Sequence, residues 1–126
     1  MKKIISTKNA PSPIGPYSQA VLVNGTLYVS GQIAINPTNG LFVLDNIIEE
    51  TKRVMDNIKA ILTEAGMDFS NVVKTGIFLS DMNNFAKVNE IYGSYFTKDF
   101  PARETVQVSR LPKDVNVEIS VLAVVN

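Results

Sequence analysis

Two short runs rich in apolar and β-branched residues, Ser18 to Val23 and Thr26 to Ser30, are separated by Asn24-Gly25. That pattern predicts a β-hairpin closed by a two-residue turn, because Asn-Gly accepts the left-handed backbone such turns need. The period then changes. Ile47, Ile48, Thr51, Val54, Met55, Ile58, Ile61 and Leu62 recur at helical spacing, which predicts an amphipathic helix from Asp45 or Asn46 to a stop at Gly66. Glu49, Glu50, Lys52, Arg53, Asp56 and Lys59 occupy the other positions and read as a solvated face. Val72 to Ser80 returns to strand character. Asn83 or Asn84 then caps a second helix, predicted through about Phe96, with Phe85, Val88, Tyr92, Tyr95 and Phe96 as its apolar stripe. Asn89 follows Phe85 by four residues, so it is expected on the inward side and in need of a hydrogen-bond partner.

The flanks complete the pattern. Lys3 to Ser6 is a short strand, and Ala10-Pro-Ser-Pro-Ile-Gly-Pro-Tyr-Ser18 is an ordered or ligand-facing loop, since its prolines deny both helix and ladder. Asn36-Pro-Thr-Asn-Gly40 is a turn. A strand from about Glu104, a turn at Leu111 to Asp114 and a last strand from about Val115 to Val125 close the chain. The order β-β-β-α-β-α-β-β predicts an α+β fold with a mixed sheet and two helices packed on one face.

Composition narrows the class. The chain has 126 residues, 45% hydrophobic and 19% charged, enough for one domain over 1–126 with a real core. Twelve basic side chains balance twelve acidic ones, so formal net charge is zero. A neutral surface exerts no long-range pull on a phosphate backbone, which argues against nucleic acid as a partner. It also favours self-association. There is no Cys and no His. Disulfides, thiolate nucleophiles, His-based triads and the usual zinc sites are therefore excluded. Neither a signal peptide nor a membrane-spanning run is read from the sequence, so the expected location is the cytoplasm.

Chemistry must come from carboxylate, hydroxyl, guanidinium, amide, amine or backbone groups. Alternation puts Arg103, Thr105, Gln107 and Ser109 on one side of their strand, and Glu118 with Ser120 on one side of theirs. A guanidinium fork suits a small carboxylate, and a carboxyl flanked by Val117 and Ile119 can have its proton affinity raised by burial. If the two polar faces meet in a cleft, Arg103 and Glu118 share one substrate. Taken singly, a surface ion pair for Arg103 and an exposed edge position for Glu118 are the commoner outcomes. Tyr17 is either a pocket wall or a loop aromatic over the core. Ser30-Gly31 is either an ordinary strand end or a place where a ligand approaches the backbone. Asp81, Asp99 and Asp114 sit in turn or cap contexts and receive no chemical role.

Ile14-Gly-Pro-Tyr-Ser-Gln19, Ser30-Gly-Gln32, Val88-Asn-Glu-Ile-Tyr92, Pro101-Ala-Arg103, Arg110-Leu-Pro-Lys-Asp114 and Val117-Glu-Ile119, in that order over nearly the whole chain, resemble the RidA/YjgF family. The resemblance implies a chorismate-mutase-like fold assembled as a homotrimer with clefts between subunits. It implies an enamine/imine deaminase that hydrolyses 2-aminoacrylate-type enamines and 2-imino acids to 2-oxo acids and ammonia, without metal or organic cofactor. Arg103 would hold the substrate carboxylate, and Glu118 would activate water and exchange a proton. Tyr17, Ser30, Gly31 and Asn89 would line or brace the pocket. Thr105 stands where many members carry Cys, and would serve if the position acts through its backbone carbonyl. The link from Phe96 to Pro101 is shorter than in many members and would reshape the cleft mouth. The alternative implied is a non-catalytic regulatory trimer binding 2-oxo acids. A third label attached to the family, ribonuclease or translation inhibitor, sits poorly with neutral charge and no His.

Overall fold

A computed structural model describes residues 1–126 and contains one six-stranded sheet with two α-helices. The strands are β1 (Lys3–Ile5), β2 (Ala20–Val23), β3 (Thr26–Gln32), β4 (Val72–Leu79), β5 (Ala102–Gln107) and β6 (Val117–Val124). The helices are α1 (Ile47–Glu64) and α2 (Phe85–Gly93). Spatial order is β1-β2-β3-β6-β4-β5. All neighbours run antiparallel except β4 and β5, which are parallel because α2 returns the chain to the same end.

Local chemistry explains the element ends. Asn24 and Gly25 have φ of 50° and 78°, the paired left-handed residues of a type I′ turn whose twist matches the strands it joins. Asn46 caps α1 by accepting from Glu49 N at 2.9 Å, and Gly66 follows its end with φ +74°. α2 stops at Gly93, short of the expected Phe96. Tyr95 and Phe96 leave the helix to pack their rings against Phe69, a tertiary contact that helical spacing does not reveal.

One face of the sheet carries the core. Leu27, Val29, Ile77, Leu79, Val117, Ile119, Val121 and Ala123 are buried there under Val54, Met55, Ile58, Ile61 and Leu62 of α1. Each fully buried aliphatic side chain contributes about 1.5–3 kcal/mol. α2 adds Val88 and Tyr92, and the Tyr92 phenol donates to Thr75 Oγ1 at 3.0 Å. The other face has no helix over it and exposes Ile4, Tyr28, Val106 and Val124.

The expected solvated face of α1 is wrong at Glu50. Its side chain is 0% exposed and accepts from Asn116 N, Val117 N and Asn116 Nδ2 at 2.7, 3.1 and 2.8 Å. Glu50 lies one turn before Val54, on the buried stripe. Backbone donors at the start of β6 meet it there, so burial is compatible with a charged residue.

Candidate functional site

The site residues divide between the two faces of the sheet. Along β4, Thr75 pairs with Arg103 of β5, while Phe78 pairs with Glu118 of β6. Thr75 is fully buried on the helix side, and Phe78, an odd number of residues away in a regular strand, points to the other side. Arg103 and Glu118 therefore do not converge within one chain. Within one chain the two polar faces do not meet, because alternation assigns each residue a side of its own strand and only the pairing register relates one strand's sides to another's; the cleft expected from the resemblance lies between subunits.

On the open face, β3 bulges. Val29 pairs with Val121 and Gln32 with Ile119, so Ser30 and Gly31 together oppose Ser120. The bulge delivers Gly31 backbone to the Glu118 side chain, where a Cβ built on Gly31 would fall 2.1 Å from Glu118 Oε2. Only glycine leaves room for that carboxyl. Ile14, Tyr17, Ser30, Gly31, Pro112 and Glu118 line a cavity of about 360 Å³. Burial in this largely apolar setting raises the Glu118 pKa above its ordinary value.

The wall of this cavity is the proline-rich loop, and Gln19 holds it. Gln19 is buried, accepts from Thr7 N at 2.8 Å and donates to Thr7 O, Ala10 O and Pro11 O at 3.0, 3.2 and 2.8 Å. Ser30 Oγ donates to Ser18 O at 2.6 Å, fastening the loop's far end. Ser30 thus braces the wall rather than offering a free hydroxyl. Tyr17 is 47% exposed, and its hydroxyl accepts from Ile14 N at 3.3 Å.

On the helix side, Arg103 forms no ion pair; the three in the chain are Lys52–Glu49, Lys74–Glu104 and Arg110–Asp114. Its guanidinium lies 5.2 Å from the Tyr92 ring centroid and 5.6 Å from that of Phe85, a cation–π setting that orients the fork without neutralising it. Arg103 Nη1 donates to Asn89 Oδ1 at 2.5 Å. Asn89, Tyr92, Phe100, Pro101 and Arg103 line a cavity of about 450 Å³.

Asn89 is exposed rather than inward. α2 buries Val88 and Tyr92, which turns the Phe85–Asn89 edge toward β5 and the cavity. Thr105 shares the Arg103 side of β5, but its hydroxyl is enclosed and has no hydrogen-bond partner. It lines neither cavity. Gln107 also lines neither, and its side chain accepts from Met82 N at 2.7 Å. Two further clefts, of about 500 and 520 Å³, hold neither Arg103 nor Glu118.

Gln19 and Glu50 carry no chemistry and residue type does not single them out, although both support the site's backbone. A buried-stripe position at Glu50 is the available signal. For Gln19 it is a polar residue followed directly by the strand start at Ala20.

The arrangement is an unpaired cationic fork in one cavity and a proton-accepting carboxyl of raised pKa in another. A guanidinium fork can hold a small carboxylate, and a carboxyl of this kind can exchange a proton. Residues 7–125 match the family model described as Endoribonuclease L-PSP. A RutC family protein of Pyrococcus abyssi is 53% identical over 97% of this chain and 96% of its own length. The human 2-iminobutanoate/2-iminopropanoate deaminase is 50% identical over 98% of this chain and 90% of its own. The crystal structure of E. coli TdcF with bound serine superposes with a TM-score of 0.94 at 38% identity, covering 98% of this chain and 99% of that one. With sequence agreement of this extent over nearly its full length, the chain belongs to the RidA/YjgF family.

Proposed function

We propose that the protein is an imine deaminase, converting 2-imino acids and their 2-aminoacrylate-type enamine tautomers to 2-oxo acids and ammonia. The observation that carries this reading is the unpaired Arg103 fork, braced by Asn89, in the same chain as a Glu118 carboxyl held against Gly31 with a raised pKa. The deaminase name of the human relative supports it, as does the small amino acid, serine, bound to TdcF.

Because the two groups stand on opposite faces, one chain supplies Arg103 and another supplies Glu118. A single domain over residues 1–126 assembled as a homotrimer with three composite clefts meets this requirement. The uncovered sheet face, with Tyr28, Val106 and Val124 exposed, supports burial against other copies.

In such a cleft Arg103 binds the substrate carboxylate and Asn89 sets the plane of the fork. For an enamine, the Glu118 carboxylate first takes a proton from nitrogen and passes it to C3, giving the imine and returning to the ionised state. Glu118 as carboxylate then accepts a proton from water while the water oxygen bonds to C2 and the C=N pair moves to nitrogen. Return of that proton to nitrogen gives the tetrahedral carbinolamine; Glu118 then carries the hydroxyl proton to the amine as the C–N bond breaks, releasing ammonia and the 2-oxo acid. Tyr17 and Pro112 exclude bulk water from one wall. Thr105 contributes its backbone, since its hydroxyl is enclosed.

The test is a dehydratase-coupled assay: a serine or threonine dehydratase generates the enamine, and 2-oxo acid and ammonia are followed. Accelerated release over spontaneous hydrolysis, lost in Arg103→Ala, is the expected result. No acceleration with a folded protein overturns the proposal.

A further inference from the structure

We propose that Glu50 is a positioning residue for Glu118, fixing the peptide at the start of β6 and so setting where the Glu118 carboxyl stands against Gly31. This role rests on the reading of Glu118 as the group that handles the proton.

Glu50 is wholly buried and forms no ion pair. A buried carboxylate is costly unless donors surround it. Here Oε2 accepts from Asn116 N and Val117 N at 2.7 and 3.1 Å, and Oε1 accepts from Asn116 Nδ2 at 2.8 Å. From the other side Ser80 N donates to Asn116 O at 3.1 Å. The peptide between Asn116 and Val117 is thus clamped by α1 and by the end of β4 together.

The clamp sits where the chain needs one. Lys113 and Asp114 have φ of 58° and 57°, successive non-glycine residues in the left-handed region, a conformation that costs on the order of 1–3 kcal/mol each. Relaxation of that turn would be transmitted into β6. Val117 opens this strand, and Glu118 follows it directly. The Glu118 carboxyl lies directly against the bulge: a methyl group on Gly31 would have to push it aside. Glu50 meets the strand start from the α1 side, and it does not line the Glu118 cavity. It therefore acts on Glu118 only through the backbone.

Replacement of Glu50 separates this role from fold stability. Glu50→Ala strands three donors, and kcat per folded molecule is expected to fall about 10²-fold. KM should stay within about twofold, because Arg103 on the other face still binds the carboxylate. Glu50→Gln keeps an oxygen for both backbone N–H groups, and a rotated Asn116 amide accepts from the new NH₂. It is expected to retain activity within about threefold. The acid limb of kcat, set by Glu118, should move in Glu50→Ala and not in Glu50→Gln; Tyr17 is the only other titratable group lining that cavity.

A readout independent of turnover is the ¹³C NMR titration of the Glu118 carboxyl, whose midpoint should shift in Glu50→Ala. If the unaltered protein shows no deamination, the deaminase reading falls, and the NMR titration still decides the positioning role. An unchanged midpoint and kcat in Glu50→Ala, or a Glu50→Gln as defective as Glu50→Ala, overturns the proposal. Should Glu50→Ala not fold, Asn116→Ala removes one of the three donors and is expected to lower kcat severalfold; no change there in kcat or midpoint likewise overturns it.

Discussion

Arg103 and Glu118 point away from each other through one sheet, Arg103 level with buried Thr75 on the helix side and Glu118 level with Phe78 on the open side. A site that uses both must draw on two chains. Complementation is the direct check. Arg103→Ala and Glu118→Gln are each expected to lower kcat/KM at least about 10²-fold. When the two variants are unfolded together and refolded as mixed oligomers, a composite cleft can receive its arginine from one variant and its glutamate from the other. Random assembly restores about a quarter of the clefts. Recovery of rate on mixed refolding, absent when the separately folded proteins are simply combined, is the expected outcome. No recovery despite verified mixed oligomers would place both groups in the same protomer's site, against the observed register.

The Glu118 carboxyl has its pKa raised by desolvation, and this has two consequences of definite sign. As a base it must be ionised, so kcat is expected to fall as pH drops through a midpoint above the ordinary carboxylate range. For stability, a raised folded-state pKa means that the folded protein binds the proton more tightly than the unfolded chain. The contribution is present at low pH and is lost as pH rises through the folded pKa. Glu118→Gln removes the burdened charge. It is expected to raise Tm at about pH 7, while near pH 3, where the carboxyl is protonated in both states, the two proteins should melt together. A lower Tm at neutral pH would contradict the assigned cause.

Strand and helix periods made much of the fold legible. The Asn24-Gly25 hairpin, the α1 stripe and the β-β-β-α-β-α-β-β order are all present. What alternation could not supply was the relation between strands: β6 comes last in sequence yet inserts between β3 and β4. The relative facing of Arg103 and Glu118 depends on that insertion. Asn89 and Glu50 exchange their expected environments for a related reason. A side chain's burial on a helix depends on what the helix packs against, and the neighbours of α1 and α2 are distant in sequence.

Gly31 is expected to resist every substitution. A Cβ there would meet Glu118 Oε2 at 2.1 Å and Cδ at 2.8 Å, so Gly31→Ala must displace the carboxyl or unmake the bulge. Activity should fall about 10²-fold or more because the carboxyl is pushed aside, with a stability loss under about 1 kcal/mol where the flexible end of Glu118 gives way. Gly76, on the neighbouring part of β4, is the control. Its added Cβ would come no closer than 3.4 Å to Phe78 and Ser120 side chains, and Gly76→Ala is expected to keep most of the rate. Equal behaviour of the two alanine variants in a dehydratase-coupled assay would remove the basis for a steric requirement at the bulge.

Asn89 and the aromatic rings orient Arg103, so charge and geometry can be separated at this position. Arg103→Lys keeps the positive charge but loses the planar fork. A cost of about 10–100-fold in kcat/KM is expected, mostly through KM, because carboxylate binding loses one of two parallel bonds. Asn89→Ala leaves the fork intact and removes its 2.5 Å brace; a smaller rise in KM of about threefold to tenfold is expected. If Asn89→Ala proved the more damaging of the two, Asn89 would be contacting substrate directly rather than setting the plane of the guanidinium.

Gln19 ties the proline-rich wall to the start of β2 with four hydrogen bonds from one buried amide. Gln19→Leu keeps the volume and abandons all four partners, two of them carbonyls of the loop at Ala10 and Pro11. At about 1 kcal/mol for each bond lost, and with part of the loop able to turn its groups to water, destabilisation of about 2–4 kcal/mol is expected in urea unfolding. The consequence should reach the chemistry, because Tyr17 and Ile14 ride on this loop and line the Glu118 cavity. Limited proteolysis within residues 10–17 should accelerate in the variant, and KM should rise even in the fraction that remains folded. A variant that unfolds more easily but shows neither change would mean that the loop keeps its place without the Gln19 amide, held at its far end by the Ser30 bonds to Ser18 O and to the backbone carbonyl of residue 19.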